Sequence, residues 1–193
     1  MPVNIEPATK RMAELVRHVP HDALSNPTPC DIPLGALLDH IGTLSIAFTA
    51  AAHKSGTQAG PPPRPDASNL APDWRDSIPG ALELLGDAWN DPEAWNGMTK
   101  VGGMDMPGEA AGVVALDEVV MHSWDVARAT DQSYDIDPGL LEALMGFLSE
   151  MAAPAMEGAR DGLFGPVVQI PDGAPLLDRA LGLAGRDPQW SPS

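Results

Sequence analysis

Residues 107–130 read PGEAAGVVALDEVVMHSWDVARAT, and the way this stretch folds decides the architecture. Ala110, Val113, Val114, Leu116, Val120, Met121, Trp124, Val126 and Ala127 make it almost continuously apolar. A helix that is hydrophobic nearly all round is central in its fold. Proline at its start suits a first turn, where the missing N–H is not needed. The pattern therefore predicts a central helix from Pro107 to about Thr130.

Moving upstream, residues 91–108 carry Pro92, Gly97, Gly102, Gly103 and Pro107 with Met98, Val101 and Met104 between them, a loop with room for a short β-hairpin. Residues 73–90 predict a helix with Trp74, Ile78, Leu82, Leu85 and Trp89 on one face and Pro79 as a kink or restart. Residues 55–72 are too proline-rich for helix or strand and are read as a mobile loop. Asp31-Ile32-Pro33 looks like a helix start, with the acid at or near the N-cap and proline near N1. From there to about Lys54, Leu34, Leu37, Leu38, Ile41, Leu44 and Phe48 form one apolar stripe with His40 in its middle. Residues 20–29 are a loop, and 4–18 a first helix built on Met12, Leu15, Val16 and Val19. Downstream, Pro138 opens a helix through Met151, followed by an extended VVQI, a brief helix near 175–184 and a terminal GRDPQW. The fold class expected is all-α, a four- or five-helix bundle, with residues 1–193 forming one domain.

Composition sets limits on function. The formal net charge is −16, from 27 acidic and 11 basic residues, with no basic cluster to override it. Such a field repels phosphate backbones, which argues against nucleic acid and anionic membrane as partners. Cys30 is the single cysteine, so an intramolecular disulfide is ruled out and a reducing compartment is favoured. The N-terminus MPVNIEPATKRMAEL lacks the pattern of a signal peptide, and no uninterrupted apolar stretch reaches membrane-spanning length. The expectation is a cytoplasmic protein, monomeric or homodimeric.

The chemistry concentrates on two helices. Glu118 and His122 are four apart on the most apolar one, so their Cβ atoms lie one above the other, roughly 5–6 Å apart. That spacing suits two ligands on one cation. His40, among leucines on the other strongly apolar helix, offers a third ligand, and facing helices of a bundle are where metal sites are built. Two histidines and a carboxylate suit zinc first, with Ni, Fe(II) or Mn as alternatives. The competing reading makes Glu118 and His122 an intrahelical hydrogen-bonded pair and His40 a satisfied core histidine. Asp125, the one catalytic candidate beyond the ligands, could orient a ligand imidazole, pair with Arg128, or cap a neighbouring segment. Cys30 reads as a small apolar residue under the second helix rather than a nucleophile. His18, His21 and His53 fall near helix ends or loops.

Three stretches carry a family resemblance. PTPCDIPLGALLDHIG (residues 27–42) resembles the loop and second helix of actinobacterial DinB-like metal-binding proteins, relatives of mycothiol-dependent maleylpyruvate isomerase. LDEVVMHSWDVARAT (116–130) is similar to their metal-binding helix, and FGPVVQIPDGAPLLDRALGLAGRDPQW (164–190) to their closing segment. The resemblance implies a DinB-like four-helix bundle whose metal ligands are His40, Glu118 and His122. Ile32 and Pro33 stand where that family usually carries a tryptophan, and the chain is too short for the C-terminal domain of the full isomerases. Metal binding is thus implied more directly than isomerase activity.

The function expected is a metal-dependent enzyme acting on a small-molecule substrate with a low-molecular-weight thiol, mycothiol or a similar one. The thiol, held as thiolate on the ion, would serve thiol transfer or cis–trans isomerisation of a small electrophile. The 55–72 loop could gate the pocket. The alternatives are a hydrolase or lyase using metal-bound water, and a metal- or ligand-binding protein without catalysis. A facial-triad Fe(II) oxygenase ranks below these.

Overall fold

The structure, a computed structural model, describes residues 2–56, 64–160 and 163–192. The central stretch is α4, Gly108–Ala129, preceded by α1 (Glu6–Arg17), α2 (Leu34–Ala52) and α3 (Trp74–Trp89). Each of α1 and α2 packs against both α3 and α4. The four therefore form a square in which α1 faces α2, and α3 faces α4, across the diagonal. This is the all-α, DinB-like four-helix bundle that the sequence predicts. Outside it, α5 (Pro138–Met151) lies against α4 and is covered by α7 (Leu176–Leu183), with a short α6 (Glu157–Arg160) between them in sequence.

The apolar pattern explains the arrangement. On α2, Leu34, Leu37, Leu38 and Ile41 are fully buried, and on α4 Ala115, Val119, Val120, Val126 and Ala127 are too. Each large aliphatic side chain so removed from water contributes about 1.5–3 kcal/mol. By length and composition alone α2 could cross a membrane, but over half of it is buried inside the bundle. Asp39 and His40 interrupt its apolar run.

Helix ends show where the chemistry of single residues wins. The expected Asp31 cap is not formed. Pro33 is the flanking residue, with extended backbone, and α2 starts at Leu34. Proline disfavours the helical conformation in the residue before it, so the helix cannot begin at Ile32. Asp31 instead takes a left-handed turn at φ 62°, and the Leu34 N–H donates to the Asn26 carbonyl at 2.9 Å. Pro138 does occupy the first turn of α5, capped by Asp137, whose carboxylate accepts from the Gly139 N–H at 2.7 Å. Pro79 lies in the second turn of α3, which runs through it without a restart.

The expected hairpin exists: β1 (Met98–Val101) and β2 (Met104–Pro107) are antiparallel, with Val101 opposite Met104. Gly102 and Gly103 form the two-residue turn, both at positive φ, as the tightest hairpin turns require. β2 then delivers the chain directly to α4. The 55–72 segment is not wholly irregular, since Ala67–Asn69 make a 3₁₀ turn held by Asp39 on α2, which accepts from Asp66 N–H and Asn69 Nδ2. Residues 57–63, and with them the gating role expected for this loop, lie outside the described residues. VVQI joins no sheet among the described residues; Val168 N–H donates to Gly182 O and ties it to α7.

Candidate functional site

The bundle brings His40, from the middle of α2, onto the Glu118–His122 face of α4. His40 Nε2 lies 3.4 Å from Glu118 Oε2 and His122 Nε2 lies 3.1 Å from the same oxygen. The two imidazoles meet edge to face with ring centres 5.1 Å apart. One potential ligand atom from each of the three residues falls within 4.8 Å of the other two. For a tetrahedral ion with ligand bonds near 2.0–2.1 Å, two ligand atoms are separated by about 3.3 Å. The His–Glu distances are thus those of atoms that can share one ion, and two imidazole nitrogens with a carboxylate oxygen are a transition-metal donor set.

Behind His122 stands Asp125. His122 Nδ1 is 2.9 Å from Asp125 Oδ2, and Asp125 is wholly buried. It pairs with Arg186, whose Nη2 donates to Oδ2 at 3.0 Å. It does not pair with Arg128, which donates to the Trp190 carbonyl. Of the three roles the sequence leaves open for Asp125, its contacts match the first, orientation of His122. Because Nδ1 is committed to Asp125, Nε2 is the nitrogen that faces Glu118, which fixes how the ring presents itself.

The charges respond to these contacts. Burial pushes the Glu118 carboxyl up, but hydrogen bonds from His122 and His40 outweigh it and hold the group well below the usual carboxylate range. Burial likewise disfavours the Asp125 carboxylate, yet the His122 hydrogen bond and the Arg186 charge keep it ionised. Burial pulls His122 down, while hydrogen bonds to Asp125, Cys30 and Glu118 raise it well above its ordinary value. Asp117, beside Glu118 in sequence but buried, is pushed up to about 8 by burial and then by the Glu118 charge. Its Oδ1 has no hydrogen-bond partner among the described residues.

Cys30 packs partly buried against the core, as expected of it, and also lies close to the site. Its thiol is half-buried and lies with His122 and Asp125 in a group whose ligand atoms fall within 4.8 Å of one another. The loop that holds it is tied at both ends: Asn26 Nδ2 donates to Ala129 O at the end of α4, and Thr28 Oγ donates to Ile32 O. No sequence motif joins Cys30 to His122; only the fold does. His18 and His53 are the C-terminal flanking residues of α1 and α2, as expected of them, and neither belongs to the cluster. Arg186 and Asp117 were not legible as site residues from their local sequence.

The family model of the mycothiol maleylpyruvate isomerase N-terminal domain matches residues 5–127. The chain belongs to that family. The match contains His40, Glu118, His122 and Asp125 but stops short of α5, α7 and Arg186. Two uncharacterized proteins of Mycobacterium tuberculosis, from strains CDC 1551 and H37Rv, are each 27% identical to this chain over 154 residues, 78% of its length and 79% of theirs. No solved structure matches.

Proposed function

We propose that this chain binds one divalent transition metal, zinc first, through His40 Nε2, Glu118 and His122 Nε2. It would use the ion to activate mycothiol or a similar small thiol toward a small electrophile. The observation that carries the reading is the convergence of these three ligand atoms from two helices, with the far nitrogen of His122 already committed to a buried carboxylate. Membership of a mycothiol-related family is the support for the thiol. A bound cation would supply the positive charge that favours thiolate over thiol at neutral pH.

The chain's own residues would do the rest. Glu118 and His40 are each about a quarter exposed, at 27% and 29% of the side chain, so small molecules can approach from their side. Asp125 would act as a positioning residue, keeping the proton on His122 Nδ1. The thiolate sulfur would add to an electron-poor carbon of the substrate. Transfer ends with protonation of the adduct; isomerisation ends with rotation about the carbon–carbon bond that addition has made single, followed by expulsion of the same thiolate as the double bond re-forms.

The test begins with metal content by mass spectrometry on gently purified protein, wild type against His122→Ala. About one equivalent of metal in the wild type, lost in the variant, is expected, followed by metal-dependent consumption of mycothiol with a maleyl-type electrophile. Equal metal in both proteins, or none after reconstitution, would overturn the site. Metal-dependent ester cleavage without any thiol would replace the thiol reading with the hydrolytic one.

A further inference from the structure

We propose that Arg186 is a positioning residue of the metal centre, so that the C-terminal segment beyond the family match completes the site. The inference rests on the metal reading above and extends it to a residue from a different part of the chain.

The placement of Arg186 follows from local backbone chemistry. α7 ends in a Schellman arrangement: the Gly185 N–H donates to the Gly182 carbonyl and the Arg186 N–H to the Leu181 carbonyl. Gly185 supplies the required left-handed turn at φ 79°. A Cβ there would lie 2.5 Å from the Gly165 carbonyl oxygen, so the turn is also pressed against the preceding loop. Its consequence is direction. The chain reverses at Gly185 and Arg186 points back into the bundle, where its side chain is only 7% exposed.

There the guanidinium meets both oxygens of Asp125, with Nη2 at 3.0 Å from Oδ2 and Nε at 3.4 Å from Oδ1. Its third nitrogen donates to the Ala184 carbonyl at 2.9 Å. A planar fork spanning both carboxylate oxygens fixes the plane of that carboxylate as well as its charge. Asp125 Oδ2 is also the atom 2.9 Å from His122 Nδ1. The order of contacts is Arg186, Asp125, His122, and then the ligand face. Removing the first leaves a fully buried carboxylate free to rotate or protonate, and the imidazole loses the acceptor that selects its tautomer.

The test uses the full chain and Co(II) as probe, titrated into metal-free protein and followed by visible absorption, with Arg186→Gln, Arg186→Lys, Asp125→Asn and His122→Ala beside the wild type. Loss of a group that orients a ligand histidine costs about 10- to 100-fold in metal affinity. Arg186→Gln is expected to weaken Co(II) binding by that order and to shift the absorption bands, with Arg186→Lys intermediate. The double variant Asp125→Asn/Arg186→Gln should bind no more weakly than Asp125→Asn alone, since both act through one contact. Should Arg186→Gln fail to fold, the comparison of Arg186→Lys with wild type decides. Unchanged affinity and spectrum in the folded Arg186 variants, with only a lower urea midpoint, would overturn the proposal and leave the metal site standing. Absence of Co(II) binding in the wild type, or equal binding by His122→Ala, would overturn the metal reading and this inference with it.

Discussion

His40 and Glu118 keep 29% and 27% of their side chains in contact with solvent, whereas His122 keeps 11%, Arg186 7% and Asp125 none. The candidate site thus has an open side, at His40 of α2 and Glu118 of α4, and a closed side, where α4 meets the segment after α7. The same residue types behave differently on the two sides. On the open side water can stand in for a lost partner. On the closed side every charge depends on another protein group, because desolvated ions are costly unless paired. Ligand exchange belongs to the first environment and ligand orientation to the second, and the two can be separated by mutation.

The largest expected effect lies on the closed side. Asp125→Ala leaves the Arg186 guanidinium buried with no carboxylate and removes the acceptor of His122 Nδ1, and should cost about 3–5 kcal/mol of stability, read by urea unfolding of metal-free protein at neutral pH. A loss below 1 kcal/mol would mean that the two sides do not differ as described. The sign with pH is also fixed. The Asp125 pKa is lowered in the fold, so its stabilisation is present above the unfolded value near 4 and disappears as pH falls through the folded value. The deficit of the variant should shrink in acid.

Gly112→Ala sharpens the comparison, because it perturbs the same helix where no charge is involved. A Cβ at Gly112 would lie 2.5 Å and 2.7 Å from atoms of the Trp95 ring and 2.8 Å from the Trp89 ring. Neither ring is free to retreat, since Trp95 Nε1 donates to the Trp89 carbonyl and Trp89 Nε1 to the Phe48 carbonyl. Overpacking of this kind costs about 1–3 kcal/mol. Unlike the Asp125 deficit, this one should be flat from about pH 3 to about pH 8, a span that covers the ordinary carboxylate range near pH 4 and the neutral region above it. A matching acid dependence in both variants would show that the Asp125 effect is not electrostatic.

The contrast between these residues also shows what the sequence made legible. The apolar spacing of 34–48 and 107–130 carries the bundle, and His40, Glu118 and His122 stand out because polar groups on such helices demand compensation. The start of α2 was misplaced because an acid before Pro33 looks like a cap, while proline's effect on its predecessor is stronger. Arg186 was hidden for a different reason: its partner is 61 positions away, and the direction of its side chain depends on the turn at Gly185. Cys30 likewise meets His122 only after α2 and α4 are packed. Local patterns reveal which residues need partners, and only the tertiary fold says which partners they get.

Tyr134, partly buried against the core, offers a smaller probe of α4 itself. Its hydroxyl donates to the Val120 carbonyl of α4 at 3.0 Å, and Tyr134→Phe should cost about 1 kcal/mol at neutral pH. Burial raises its pKa above the ordinary value of 10. A raised folded value means that the stabilisation is fully present below about pH 10 and is lost as pH climbs toward the folded pKa. It is the single tyrosine of the chain, so the tyrosinate ultraviolet absorbance reports this residue alone. The midpoint should lie well above 10 in native protein and return to about 10 in urea. A native midpoint at 10 would mean that α4 is open to water at this position.

The smallest effect on the fold, and the most informative about function, belongs to the open side. His40 contacts Glu118 at 3.4 Å where both side chains remain about a quarter exposed, and partly solvated pairs of this kind contribute about 0–1 kcal/mol. His40→Ala should therefore unfold within 1 kcal/mol of wild type when both are metal-free. Adding metal should separate them. A ligand at one hundred times its dissociation constant stabilises the form that binds it by about 2.7 kcal/mol, so zinc at that excess should raise the wild-type urea midpoint and leave the variant nearly unmoved. If His40→Ala gains as much as wild type, the ion is held without α2, and the open side is a surface rather than a wall of the site. If the variant instead loses several kcal/mol before any metal is added, His40 belongs with Asp125 and Arg186 as a structural group, and the division between the two sides fails.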